Sequence, residues 1–308
     1  MSSLSSLPFL LDFSGVFRED QVCIIWHPEE LPTHPRVEQL KADWPRHVRE
    51  VEQRGGILFN GQMVRCLGYR VERDGHDGHE GRDGHDSHEG HDDQRLMMDA
   101  GPTDYATYYC TNYLHHSLGD SIGWEHFANP IGISANVITS DGWILYGRRN
   151  QRVATHPGAI HTFGGTVDRS DVKTADNRSD VKTAGNRGDN DTIGERSDIN
   201  AAGQVDVFGS MARELREELR LTEGELVEQV CLGMIRDPQL RQPELIFDSR
   251  IAATRAELES RIPADDEEHA RVEATRDDPA AIAEFLQTPD LVPVAIGSLM
   301  LHTWSRWQ

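Results

Sequence analysis

DVFGSMARELREELRL, residues 206–221, is the stretch on which the fold and chemistry of this chain turn. At helical spacing Phe208, Met211, Ala212, Leu215 and Leu219 share one apolar stripe, while Glu214, Glu217 and Glu218 gather on the other side. Asp206 stands where an N-cap belongs. Carboxylates at i, i+3 and i+4 repel by roughly a few tenths of a kcal/mol per pair, so a cation must compensate them. Either the interleaved Arg213, Arg216 and Arg220 supply it, giving a solvated surface helix, or a metal ion does.

Upstream, residues 140–149, SDGWILYGRR, read as a turn, a short strand and a basic end, and residues 156–168, HPGAIHTFGGTVD, place a Gly-Gly pair before the helix. Together with the acidic helix they resemble the Nudix hydrolases, whose signature runs G-x5-E-x7-R-E-U-x-E-E-x-G-U with U aliphatic. Gly164-Gly165 opens it, and Arg213-Glu214-Leu215-Arg216-Glu217-Glu218 closes it. The resemblance covers roughly residues 130–304. It has three departures: an insertion of about residues 169–204 separates the Gly pair from the helix, Asp206 stands one residue from the place of the first Glu, and Arg220 replaces the last Gly.

A narrower resemblance comes from TDYATYYCTNY at 103–113, Asn129-Pro130-Ile131-Gly132, and GRRNQRVATHPG at 147–158, which look like the Nudix branch that splits UDP-glucose and UDP-galactose. It implies an α/β fold, the Nudix-type α/β/α sandwich with a mixed sheet spanning residues 129–308, preceded by an N-terminal β-containing extension over residues 1–128. It also implies Mg²⁺ or Mn²⁺ on Glu214, Glu217 and Glu218, with Arg213 orienting one of these acids. Gly164 and Gly165 would let the backbone approach the phosphates, and Arg148, Arg149 and Asn112 would bind substrate. The base would come from the helix itself or from Glu267 or Glu268 in a later loop. The implied substrate is a nucleotide sugar, cleaved to UMP and a sugar 1-phosphate. The alternatives are a hydrolase of ADP-ribose or dinucleoside polyphosphates, and a non-catalytic nucleotide-binding module.

The 308 residues carry 31 basic and 52 acidic side chains, a formal charge of -21, which argues against nucleic acid or anionic membrane as partner. Such a surface admits a diphosphate only through local Arg/Lys and bound divalent cations. The 4 cysteines, Cys23, Cys66, Cys110 and Cys231, lie scattered with no CxxC pair, as in a reducing compartment, and no apolar run approaches a membrane span. With no signal-peptide pattern at the start, the expectation is a cytoplasmic protein. Oligomeric state is left open.

Along the chain, LPFLLDF and QVCIIWH read as strands, residues 37–53 as a helix, and ILFNG from Ile57 and MVRCLGYRVE from Met63 as strands. Residues 74–93 hold His76, His79, His85, His88 and His91 in a low-complexity tract with no apolar residue, and read as a disordered loop. Tyr105, Tyr108, Tyr109 and Tyr113 can pack the core or stack on a base, and for most of them core packing is the reading. Residues 169–204 repeat RSDVKTADN and RSDVKTAGN, too few units for a solenoid, and read as a second disordered loop. Strands over 226–234 and 244–253, an acidic stretch from Glu267, a helix over 277–286 and a closing helix over 291–304 complete the pattern.

Overall fold

The structure, a computed structural model, describes residues 7–30, 33–73, 94–150, 158–173, 203–262 and 269–307. Among them the chain runs β1 (Leu10–Phe17), β2 (Val22–Trp26), α1 (Pro35–Lys41), α2 (Trp44–Glu52), β3 (Gln62–Arg73), β4 (Gln94–Asp104), α3 (Tyr105–Tyr108), α4 (Gly119–Ile122), β5 (Gly132–Ile138), β6 (Trp143–Arg149), β7 (Ile160–His161), β8 (Phe163–Thr166), β9 (Val172–Lys173), β10 (Gln204–Val205), α5 (Val207–Leu219), β11 (Leu226–Arg236), β12 (Pro243–Ile251), α6 (Arg255–Arg261), β13 (His269–Arg276), α7 (Pro279–Phe285) and α8 (Pro293–Trp307).

The main sheet orders its strands β1-β11-β12-β5-β6-β13, with β7 on β6 and β8 on β5. It is mixed, since β12 and β5 run parallel while the other pairs are antiparallel. Strand β5 is entirely buried, and its alternate residues serve two faces. Ile133, Ala135 and Val137 join Phe208, Met211, Leu215 and Leu219 of α5 in one core, where the rings of Phe208 and Phe247 meet edge to face at 5.2 Å. On the opposite face Asn136 donates to the Ser298 carbonyl of α8, whose Ala295 and Leu299 pack with Ile138, Ile144 and Tyr146. The sheet is thus held between α5 and α8, in agreement with the expected α/β/α arrangement. Each fully buried Leu or Phe here contributes on the order of 2 kcal/mol.

A second mixed sheet orders β3-β4-β2-β10-β9 and shares the α5-side core. The two sheets exchange strands across residue 128: β1 pairs with β11, while β10 pairs with β2. No helix among the described residues is long and apolar enough to cross a membrane. Cys23, Cys66, Cys110 and Cys231 are free thiols.

Several expectations need correction. The single helix over 37–53 is two, α1 and α2, because Pro45 lacks an N–H donor and suits only a first turn, so the chain restarts at Asp43. ILFNG is not a strand: Ile57 and Phe59 are exposed, and Asn60 is spent accepting the Ala106 amide through Oδ1 at 2.7 Å. The ends of the 169–204 insertion are ordered, since Val172 and Lys173 pair with Val205 and Gln204, and Val172 is buried. The acidic stretch passes into β13, whose Val272 and Ala274 pack on the core while Arg271 and Glu273 form an ion pair. The histidine tract at 74–93, Glu267 and Glu268 lie outside the described residues.

Candidate functional site

Helix α5 starts where Asp206 accepts the Gly209 amide at 2.8 Å, so the N-cap reading holds. It stops at Arg220, which takes the left-handed conformation (φ 56°) usually given to glycine. The helix exit is therefore preserved despite the replaced residue. Between these ends the acidic face meets β8. The Gly164 amide donates to Glu218 Oε2 at 2.9 Å. Gly164 sits at φ 146°, and a Cβ there would collide with the Ile133 carbonyl oxygen. A Cβ on Gly165 would stand 2.9 Å from the Glu214 carboxylate. Gly164 is thus required by its pairing with β5, while Gly165 leaves room for the Glu214 side chain.

Arg213 is the cation that compensates the acids. Its Nη1 lies 2.9 Å from Glu214 Oε1 and 3.9 Å from Glu217 Oε2, and its Nη2 donates to Asp171 Oδ2 at 3.1 Å. Glu214 is largely covered, whereas Glu217 is exposed on the rim. Asp171 offers a second place for the signature's first acid, beside Asp206 one residue out of register. Counted forward from Gly165, five residues intervene before Asp171, the spacing of the signature's first acid. On that count the insertion follows Asp171, and β9 and β10 bring its two ends together. The Asp206 amide donates to the Asp171 carbonyl at 3.1 Å, which fastens the join.

Among the described residues no three His, Cys, Asp or Glu side chains gather into a ready metal site. The donor chemistry nonetheless fits Mg²⁺ or Mn²⁺, because such ions keep several waters and need only one or two carboxylates plus substrate phosphates. Glu214 and Glu218, one turn apart and facing the same Gly-Gly strand, supply those two.

Beside this face opens a cavity lined by Tyr105, Tyr108, Arg149, His161, Gly164 and Glu244, among others. Of the paired arginines, Arg149 belongs to it. Arg148 does not: its Nε lies 2.6 Å from Glu273 and its Nη1 donates to the Gly158 carbonyl. Asn112 is fully buried, donating to Asn129 Oδ1 at 3.1 Å and the Leu240 carbonyl at 2.9 Å, so it braces the loop before β12 and does not reach a ligand. Of the tyrosines, Tyr109 and Tyr113 stack on each other, while Tyr105 and Tyr108 reach the cavity. Burial pushes the Tyr105 phenol up to about 12, and Tyr108 higher, so both stay neutral donors.

Glu244 carries no sequence signal, being one acid at the start of an apolar strand run. Its carboxylate accepts a hydrogen bond from Ser134 Oγ at 2.6 Å, and burial pushes its pKa up to about 7 against that bond.

No protein-family model matches the chain. Nudix hydrolase 9 of Arabidopsis thaliana, a curated relative, is 30% identical over 139 residues, covering 42% of this chain and 41% of the relative, so the chain spans less than half of that protein. The crystal structure of DR0079 from Deinococcus radiodurans aligns over 56% of this chain and 81% of its own, at 16% identity and TM-score 0.33. The MutT protein of Methanosarcina mazei Go1 aligns over 56% of this chain and 90% of its own, at 15% identity and TM-score 0.30. The chain is thus similar in sequence, over part of its length, to a Nudix hydrolase.

Proposed function

We propose that this chain is a Nudix-type pyrophosphohydrolase, dependent on Mg²⁺ or Mn²⁺, acting on a nucleoside diphosphate joined to a sugar. The observation that carries the reading is the hydrogen bond of the Gly164 amide to Glu218 and the close approach of Gly165 to Glu214, which Arg213 pairs from the side. When bound, the divalent ion would neutralise the diphosphate and lower the pKa of a water. Glu214 and Glu218 would hold it, Glu217 would complete the shell from the rim, and Arg213 would fix the orientation of Glu214. The β8 backbone would lie along the phosphates, and Arg149 would bind phosphate or sugar at the cavity wall.

The finer substrate is UDP-glucose or UDP-galactose, water attacking the diphosphate to give UMP and a sugar 1-phosphate. The resemblance of residues 103–113 and 147–158 supports it, and so does the entry of Tyr105 and Tyr108 into the cavity beside Gly164. Comparing kcat/KM for UDP-glucose, ADP-ribose and diadenosine polyphosphates at fixed Mg²⁺ tests the choice. The uridine substrate should lead by a factor of ten or more. A lead for either adenine compound overturns the UDP-sugar reading and leaves the hydrolytic one standing. Binding of nucleotides with no turnover in Mg²⁺ or Mn²⁺ would favour a non-catalytic module.

A further inference from the structure

Glu244 has no part in the hydrolytic machinery above. It lies at the start of β12, opposite Gly132, and a Cβ on Gly132 would run into its carboxylate. Ser134, which donates to it, is held in turn by Thr162 Oγ1, which donates to Ser134 Oγ at 2.8 Å. Both hydroxyl residues are buried, so the carboxyl is aimed by a fixed relay. Among the described residues no Lys, Arg or His forms an ion pair with it, and its raised pKa is the mark of that uncompensated burial. A leucine would serve the strand better. The group is therefore kept for something that enters the cavity.

Its position argues against a role as the hydrolytic base. Ser134 and Glu244 lie on the α8 face of β5, whereas Glu214 and Glu218 rise from α5 on the face of Ile133 and Ala135. Its chemistry narrows what it can meet: in the ionised form, which prevails above about pH 7, the carboxylate only accepts, so the entrant must offer an N–H or O–H. The other carboxylate on the wall, Asp237, spends its Oδ1 on the amides of Gln239 and Leu240 at 2.7 and 2.8 Å, as the cap of its own turn. On the same cavity wall Tyr105, Tyr108, Leu240 and Val292 supply aromatic and aliphatic surface that suits a planar ring, beside the polar Arg149 and Gln242.

We infer that Glu244 reads the nucleobase, taking a hydrogen bond from the ring N–H that uracil and guanine carry on their pairing edge and that cytosine and adenine lack. The inference rests on the nucleotide reading above and deepens it. A base whose ring nitrogen is an acceptor would leave two lone pairs facing each other, which is a strong ground for rejection.

The test is calorimetric titration of UMP, GMP, CMP and AMP into the full chain with Mg²⁺, beside kcat/KM for UDP-glucose and CDP-glucose. Wild type should bind UMP or GMP at least about tenfold more tightly than CMP and AMP. Glu244→Gln, of nearly equal size, should bring the UMP/CMP ratio close to one, because its amide can donate to the cytosine ring nitrogen. Glu244→Asp should keep the preference while weakening binding. No mononucleotide binding, a wild-type preference for CMP or AMP, or a preference unchanged in Glu244→Gln overturns the inference. A Glu244-dependent preference without any turnover sustains it and removes the hydrolase reading, whereas turnover with Glu244-independent base choice does the reverse.

Discussion

The Gly164 amide and the Glu218 carboxylate are joined across 2.9 Å, and that bond fixes where the acid helix lies against strand β8. The two glycines should fail differently. At Gly164 any side chain is strained at φ 146° and blocked by the Ile133 carbonyl, so Gly164→Ala should cost about 2–3 kcal/mol of stability as well as activity. At Gly165 the obstacle is the Glu214 side chain, 2.9 Å away, so Gly165→Ala should keep most of its stability and lose turnover. Urea denaturation alongside kcat separates the two. Equal stability loss in both would contradict the distinction.

Asp171, not Asp206, is the acid that should matter to turnover. Asp171→Asn weakens the hold on Arg213 and should lower kcat about tenfold or more with little change in KM. Asp206→Asn keeps an N-cap and should change stability by less than about 1 kcal/mol. Larger kinetic damage from the second substitution would show that the insertion does not divide the motif after Asp171.

The helix was legible because its apolar stripe, cap and acids all agreed over residues 206–221, and the α8 helix was legible from its apolar spacing alone. The division of the motif was legible only in one direction. Counting backward from Arg213 across a long repeat lands beside Asp206, counting forward from Gly165 lands on Asp171, and the pairing of Val172 with Val205 brings the two together. Strand β13 was hidden because charged residues alternate with Val272 and Ala274, so an acidic stretch and a strand look alike. Pro45 was present in the sequence, yet apolar spacing across it outweighed its breaking effect. Asn112 and Glu244 illustrate the remaining limit. A lone polar residue carries no periodicity, and only the fold decides that one is sealed in a loop brace and the other faces a cavity.

His302 should make stability fall at high pH. It is buried between Asp248 Oδ2 at 2.7 Å and Asp277 Oδ1 at 2.9 Å. Burial opposes its charge, but the two carboxylates together overcome that and push it up to about 9. A pKa raised above the ordinary 6.5 gives stabilisation that is complete below about 6.5 and is lost as pH rises through about 9. The loss between pH 6.5 and 10 should be on the order of 3 kcal/mol, and His302→Gln should remove the slope. A flat denaturation profile in wild type would contradict the buried ion network.

Arg220 holds a left-handed conformation (φ 56°) without being glycine. Arg220→Gly should raise stability by up to about 1 kcal/mol, read from the denaturation midpoint. A marked loss would mean that its side chain makes a contact outweighing the strain.

The central claim is that Glu214 and Glu218, set against Gly164 and Gly165, carry metal-dependent cleavage of a diphosphate. The most direct measurement is phosphate release from UDP-glucose, coupled to a phosphatase, by wild type and Glu218→Gln across a Mg²⁺ titration. Wild type should be inactive in excess chelator and active with Mg²⁺, and Glu218→Gln should lose at least about a hundredfold in kcat while melting within a few degrees of wild type. Full wild-type turnover in chelator, or a Glu218→Gln variant as fast as wild type, would contradict the account.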